Sequence, residues 1–131
     1  MAVLVDTCTL IDGERDRGVW QRIERVCGAQ PWSVSVITAS ELLFGAERAD
    51  QRRRASRLAY IQRVLSQLNP IPITTDIART HARLWADLAQ AGALIAAHDL
   101  WIAATAITLG LQLVTSDADF DRVPGLEVIS P

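Results

Sequence analysis

A few short apolar runs punctuate the chain and frame its reading. Val3, Leu4 and Val5 form an uninterrupted apolar triplet that stops at Asp6, as expected of a strand buried on both faces of a parallel sheet. Ser33 to Ile37 alternates serine with apolar residues and predicts a second strand. Pro70 and Pro72 bracket Ile71 and Ile73, predicting a brief, edge-like third strand, because proline cannot donate to a central ladder. Leu113 to Thr115 and Leu126 to Ile129 supply two more. The segments between them carry helical spacing. Thr7 to Asp12 turns into a short helix, and Trp20, Ile23 and Val26 or Cys27 mark one over residues 19–26 that ends at Gly28. A helix with Leu42, Leu43 and Phe44 follows from Thr38, and Leu58, Ile61, Leu65 and Leu68 stripe another from about residue 52 to residue 68. Ile77, His81, Leu84, Leu88 and Ala91 mark a further helix closed by Gly92. His98 to Leu109 is apolar almost all round, a helix buried on several sides, with Gly110 after its end.

Strands alternating with helices predict an α/β fold, a short parallel β-sheet flanked by helices on both faces. No repeat, low-complexity tract or linker divides the chain, so residues 1–131 are expected to form one domain. In open sheets of this kind ligands sit beyond the carboxyl ends of the strands. Attention therefore falls on the residues that follow each strand.

Four of these are acidic. Asp6 ends the first strand, and Glu41 lies one turn into the helix after the second. Asp99 opens the buried helix, and Asp117 follows the strand ending at Thr115. Each also has a local use. Asp6 can cap the first helix. Thr38 and Glu41 have the Thr-x-x-Glu spacing of a capping box. Asp99 suits a first helical turn, and Asp117 can cap the turn leading to Phe120. Four independent caps need not all fall at the same edge of one sheet, and these four do. Carboxylates within about 4 Å of each other repel by a few kcal/mol per pair at an effective dielectric near 20, so they call for a cation or raised pKa values. Oxygen-only ligands suit Mg²⁺ or Mn²⁺ better than zinc.

In this setting the pattern resembles the PIN-domain family, and within it the VapC-type toxin ribonucleases of bacterial type II toxin–antitoxin pairs. The resemblance spans essentially the whole chain. Val5-Asp6-Thr7-Cys8-Thr9-Leu10-Ile11 is similar to the family's opening strand and first acid. Thr38-Ala39-Ser40-Glu41-Leu42-Leu43-Phe44-Gly45-Ala46 resembles its second motif, and His98-Asp99-Leu100-Trp101-Ile102-Ala103-Ala104-Thr105-Ala106 its third. Leu113-Val114-Thr115-Ser116-Asp117-Ala118-Asp119-Phe120, followed by Val123-Pro124-Gly125-Leu126, resembles the fourth. Successive acids are 35, 58 and 18 residues apart. The resemblance implies a Mg²⁺-dependent endoribonuclease, with Mn²⁺ an alternative ion, that hydrolyses RNA phosphodiester bonds. It also implies a homodimer and a complex with an inhibitory cognate antitoxin. Asp6, Asp99 and Asp117 are the expected metal ligands, with Asp119 a second candidate in the last motif, and Glu41 is expected to orient or deprotonate water. Thr7, Thr115 and Ser116 are expected to hold the carboxylates in place. Cys8 stands where a small hydroxyl residue is more usual.

Composition changes this picture only locally. The net charge is −2, so no global basic field attracts nucleic acid, yet residues 48–63 hold six Arg against one acid, Asp50. That stretch is either a solvated helix face or a contact for RNA phosphates or an acidic antitoxin segment through Arg52, Arg53, Arg54 and Arg57. All 13 basic residues are Arg, which codon usage explains as readily as phosphate recognition. Cys8 and Cys27 fit neither a disulfide framework nor a zinc site. No stretch reaches the roughly 20 apolar residues that span a bilayer, and the N-terminus lacks a signal-peptide pattern. The expected location is the cytoplasm, with no membrane partner.

His98 and His81 are both expected to be structural and at least partly buried. Trp20, Trp85 and Trp101 suit core or dimer packing, while Trp32 is less determined. Gly45, inside an apolar helix, suggests a close backbone approach. Three rival readings remain. A phosphoryl-receiving signalling domain would need a Lys that this chain lacks. A catalytically silent protein-binding module would have no use for all four acids. A PIN-domain nuclease of RNA maturation would share the same chemistry.

Overall fold

In the computed structural model, which describes residues 2–131, β1 (Val3–Val5) occupies the middle of a four-stranded sheet. It lies between β2 (Trp32–Ser33) and β3 (Gln112–Val114), and β4 (Val128–Ile129) pairs with the far side of β3. All pairings are parallel. Six helices surround the sheet: α1 (Thr7–Arg15), α2 (Gly18–Cys27), α3 (Val36–Arg48), α4 (Gln51–Leu68), α5 (Thr75–Gln90) and α6 (Ala97–Leu109). Successive strand residues point to opposite faces, and this divides the interior. Leu4 and its register partner Leu113 enter a core shared with α5 and α6, whereas Val3, Val5 and Val114 enter one shared with α1 to α4. The helices therefore cover both faces, as expected. Among the described residues no helix is long and apolar enough to cross a membrane.

Three expected strands are shorter than their patterns suggested, the last of them, expected over residues 126–129, being confined to Val128–Ile129. Within the alternating segment from Ser33 to Ile37 only Ser33 belongs to the sheet, because Ser35, apart from one isolated bridge, starts a helix. Its backbone is extended (φ −78°, ψ 150°) and its hydroxyl accepts from the N–H of Ile37 at 3.0 Å. The cap outweighs the strand preference of Val36 and Ile37. Helix α3 therefore begins two residues before Thr38, and the proposed capping box does not form. Ile71, flanked by prolines, makes a single parallel bridge to Ser35 and no strand. The N–H of Ile71 reaches the carbonyl of Val34 and its own carbonyl accepts from Val36, but Pro70 and Pro72 can donate nothing further.

The helices are locked by a few specific contacts. The Tyr60 hydroxyl donates to the Leu10 carbonyl at 2.7 Å, tying α4 to α1. Burial, reinforced by the nearby Glu14 charge, pushes the Tyr60 hydroxyl up to about 12. His81 stacks on Trp101 with ring centroids 3.5 Å apart, joining α5 to α6, and burial lowers its pKa. It is structural, as expected. Trp32 finds its place stacked on Trp20, 5.6 Å between centroids.

The close approach expected at Gly45 occurs instead at Gly13. A Cβ on Gly45 would meet nothing nearer than the Arg57 guanidinium at 3.7 Å, whereas one on Gly13 would lie 2.6 Å from the Trp20 indole. That indole is held by Trp32 and cannot swing freely. Gly13→Ala is expected to destabilise the protein by about 1–3 kcal/mol through overpacking. Gly45→Ala should be neutral or stabilise it by up to about 1 kcal/mol through helix propensity. Urea denaturation of both variants checks the contrast, and equal effects would refute this packing account.

Candidate active site

The carboxyl ends of β1 and β3 lie side by side because Val5 pairs with Val114, and the N–H of Asp6 donates to the Val114 carbonyl at 3.0 Å. Asp6 is 3% exposed. Its Oδ2 accepts from the Thr115 hydroxyl at 2.8 Å and from the Cys8 thiol at 3.0 Å, and its Oδ1 from the N–H of Thr7 at 2.7 Å. Burial raises the Asp6 pKa, these three donors lower it, and the like charge of Glu41 raises it further, with a net upward shift. The capping use of Asp6 and its position at the sheet edge are thus compatible. Cys8, where a hydroxyl was expected, supplies the equivalent bond, and its own thiol is pushed up by burial and by the Asp6 charge.

Glu41 projects from the second turn of α3, freed from any capping role. Its Oε1 accepts from the Thr7 hydroxyl at 2.7 Å. Thr7 also lies 3.1 Å from the Thr38 hydroxyl. With a single proton to give, Thr7 donates it to the carboxylate and accepts from Thr38. Thr38 is a buried participant that the sequence presented only as a cap; the available signal was its position one turn before Glu41 on the same helix face. The second oxygen, Oε2, lies 3.6 Å from His98 Nδ1. His98 is exposed, contrary to expectation, because it stands in the solvent-facing first turn of α6.

Asp99 stands one residue further along α6 and is half-buried. Its carboxyl is pushed up to about 6, first by burial and then by the charges of Asp6, Glu41, Asp117 and Asp119. The acids expected from the sequence therefore share one electrostatic neighbourhood. Asp117 caps the short 3₁₀ turn at Ala118–Arg122, accepting from the N–H of Asp119 at 2.9 Å, while its own N–H donates to Thr115 at 3.0 Å. Asp119 is exposed and faces Arg122 at 3.6 Å. Its charge acts on Asp99 more weakly than that of Asp117. Ser116 is exposed and approaches the Cys8 sulfur only at 3.9 Å, a marginal contact.

Several independent elements thus deliver carboxylates to one edge of a parallel sheet. The agreement with known proteins is equally broad. The PIN domain family model matches residues 3–126. The chain belongs to the PIN-domain family. Ribonuclease VapC1 of Rickettsia felis is 34% identical to this PIN domain, over 99% of the chain and 96% of its own length. The DNA-bound VapBC structure from Salmonella typhimurium matches it with a TM-score of 0.88 at 26% identity, over 99% of this chain and 98% of that one. VapBC-5 from Mycobacterium tuberculosis, a member of the VapBC family of toxin–antitoxin systems, matches with a TM-score of 0.74 at 31% identity, covering 98% and 96%.

Hard oxygen donors whose charges act on one another are the chemistry that a small divalent cation relieves. Among the described residues no three Asp, Glu, His or Cys side chains already form a metal-holding group. The PIN-domain site is thus a loose acidic ring, as mutual repulsion favours. In its chemistry, oxygen donors alone, the set matches what a hard divalent ion prefers.

The raised Asp99 carboxyl has a consequence for stability. The folded protein keeps this proton up to about pH 6, whereas an ordinary Asp loses it near 3.8. Between those values the folded state binds more protons than the unfolded one, so stability falls as pH rises through the window. Asp99→Asn is expected to remove that slope and to stabilise the metal-free protein at neutral pH by about 1 kcal/mol, a figure discounted for partial solvent exposure. Thermal melts in EDTA across this range check it; an unchanged slope would count against the raised carboxyl.

Proposed function

We propose that this PIN domain is a divalent-metal-dependent endoribonuclease, the toxin of a type II toxin–antitoxin pair, held inactive by a cognate antitoxin and working as a homodimer. The observation that carries the chemistry is the gathering of acids at the carboxyl ends of β1 and β3, where Thr7 beside Asp6 binds Glu41, and where burial and then the neighbouring charges raise the Asp99 carboxyl. Four other acids load one half-buried group with negative charge, an arrangement with a cost to folding and an obvious use in binding a cation. The ribonuclease names of the relatives support RNA as substrate, and the toxin–antitoxin complexes among the structural neighbours support the partner.

In this reading Asp6, Asp99 and Asp117 hold Mg²⁺, or Mn²⁺ in its place, with Asp119 a weaker candidate. The chemistry gained with a bound ion would be Lewis-acid charge for the scissile phosphate and a more acidic water. The chain's own groups do the remainder. Thr115, Cys8 and the N–H of Thr7 fix the Asp6 carboxylate so that it need not reorganise. Thr7 fixes Oε1 of Glu41, which leaves Oε2 to orient the attacking water and take its proton. His98, 3.6 Å from that oxygen and open to solvent, can relay the proton outward.

Asp6→Asn and Asp99→Asn are each expected to lower RNA cleavage by at least about 100-fold, the scale of losing a principal electrostatic group, while circular dichroism stays native. EDTA should abolish cleavage by the parent and Mg²⁺ restore it. Full activity of either variant, or activity in excess EDTA, would sink the proposal. Because a metal must displace the Asp99 proton, the thermal upshift produced by Mg²⁺ should grow as pH rises through about 6. A shift that is flat with pH would argue that Asp99 is not a ligand.

A further inference from the structure

Between the C-terminal end of α1 and the first turns of α4 lies a cavity of about 430 Å³ lined by Glu14, Arg15, Arg52, Arg53, Ser56 and Arg57. We infer that it is a phosphate-binding subsite, holding the RNA backbone beside the acidic ring. The inference rests on the nuclease reading above.

Charge and chemistry come first. Four guanidinium groups face one carboxylate, that of Glu14, which lies 3.7 Å from Arg57. The lining is therefore strongly cationic in a chain whose net charge is −2. Guanidinium groups are weakly hydrated planar forks that match phosphate oxygens two at a time, and the Ser56 hydroxyl adds a further donor. Arg54, in the same run of sequence, is excluded from this set. It reaches both oxygens of Glu47 at 3.0 Å, outside the cavity. The sequence run of arginines thus divides in the fold into a group around a cavity and one held by a surface carboxylate.

Placement is the second argument. Helices α1 and α3 run side by side from the acidic ring. Thr7 on α1 binds Glu41 on α3, and one turn further along α3 Gly45 presents its bare Cα toward the Arg57 guanidinium. One helical turn is about 5.4 Å, so Arg57, which lines the cavity, lies beside α3 about one turn beyond the expected catalytic carboxylate. A strand of RNA with its scissile phosphate at the ring would carry a neighbouring phosphate along this groove. The walls are also held in position. Tyr60 bonds the Leu10 carbonyl, which ties α4 to α1, and Asp50 fixes the start of α4 by accepting from the N–H of Arg53 at 3.0 Å.

The test is binding of a short single-stranded RNA of mixed sequence to the full chain in EDTA, followed by fluorescence anisotropy between about 50 and 200 mM salt. The double variant Arg52→Ala, Arg53→Ala is expected to weaken binding and to flatten the plot of log affinity against log salt by about 0.7 for each phosphate that the variant no longer neutralises. The corresponding double Lys variant should retain most of the slope, and Arg54→Ala should leave it unchanged. An unaltered slope in the double Ala variant, or an equal flattening in Arg54→Ala, would overturn the subsite. So would weakened binding confined to an acidic antitoxin peptide, which would reassign the cavity to protein recognition. RNA cleavage by the parent in Mg²⁺, measured in parallel, separates the two readings. Cleavage with unaltered slopes removes the subsite alone, whereas arginine-dependent binding without cleavage upholds the subsite and removes the nuclease assignment.

Discussion

A buried carboxylate at the end of the central strand is the constraint on which the remaining structure depends. Moving an ionised group out of water carries a large penalty unless hydrogen bonds replace its hydration. For Asp6 the replacement comes from the Thr115 hydroxyl, the Cys8 thiol and the N–H of Thr7. Two of these belong to the start of α1 and one to the residue after β3, so the site requires β1 and β3 to pair in a single register. A slip by one residue would turn Leu4 and Val5 to the wrong faces and carry Thr115 away from Asp6. The alternation that divides the two cores and the hydrogen bonds that hold the site therefore specify the same pairing.

Glu41 shows how a local choice of helix start decides site chemistry. Had α3 begun at Thr38, the Glu41 carboxylate would have folded back onto the backbone as a cap. Ser35 takes the cap instead, which moves Thr38 into the helix and turns its hydroxyl toward Thr7. The chain of hydroxyls from Thr38 through Thr7 then ends on Glu41. A serine six residues upstream thereby frees an acid to work at the sheet edge.

Much of this was legible in the sequence because the informative signals were local. An apolar triplet cut off by Asp6, helical stripes ended by Gly28 and Gly110, acids placed after strands and one at the start of the buried helix pointed to the α/β architecture and to Asp6, Glu41, Asp99 and Asp117 as one group. The failures came where two local signals competed or where tertiary contact decided. Ser33 and Ser35 look alike in an alternating pattern, and only the bond from Ile37 distinguishes a strand residue from a cap. Gly13 looked ordinary and Gly45 suggestive, because the indole that presses on Gly13 is fixed by Trp32 from another element. His98 was expected to be partly buried beside an apolar helix, but a first helical turn can face solvent while the turns after it are buried.

Net charge concealed the most consequential feature, which is segregation. Acids crowd the strand ends, where burial and then their repulsion lift Asp99, while arginines collect around the cavity between α1 and α4. Mixing these groups would have neutralised the site through surface ion pairs worth little to stability. Keeping them apart leaves each set under-compensated at close range. Opposite fields side by side suit a ligand that is itself a line of negative charges reacting at one point: in the proposed reading the arginines would hold the line, and the carboxylates would be left for a cation at a single phosphate.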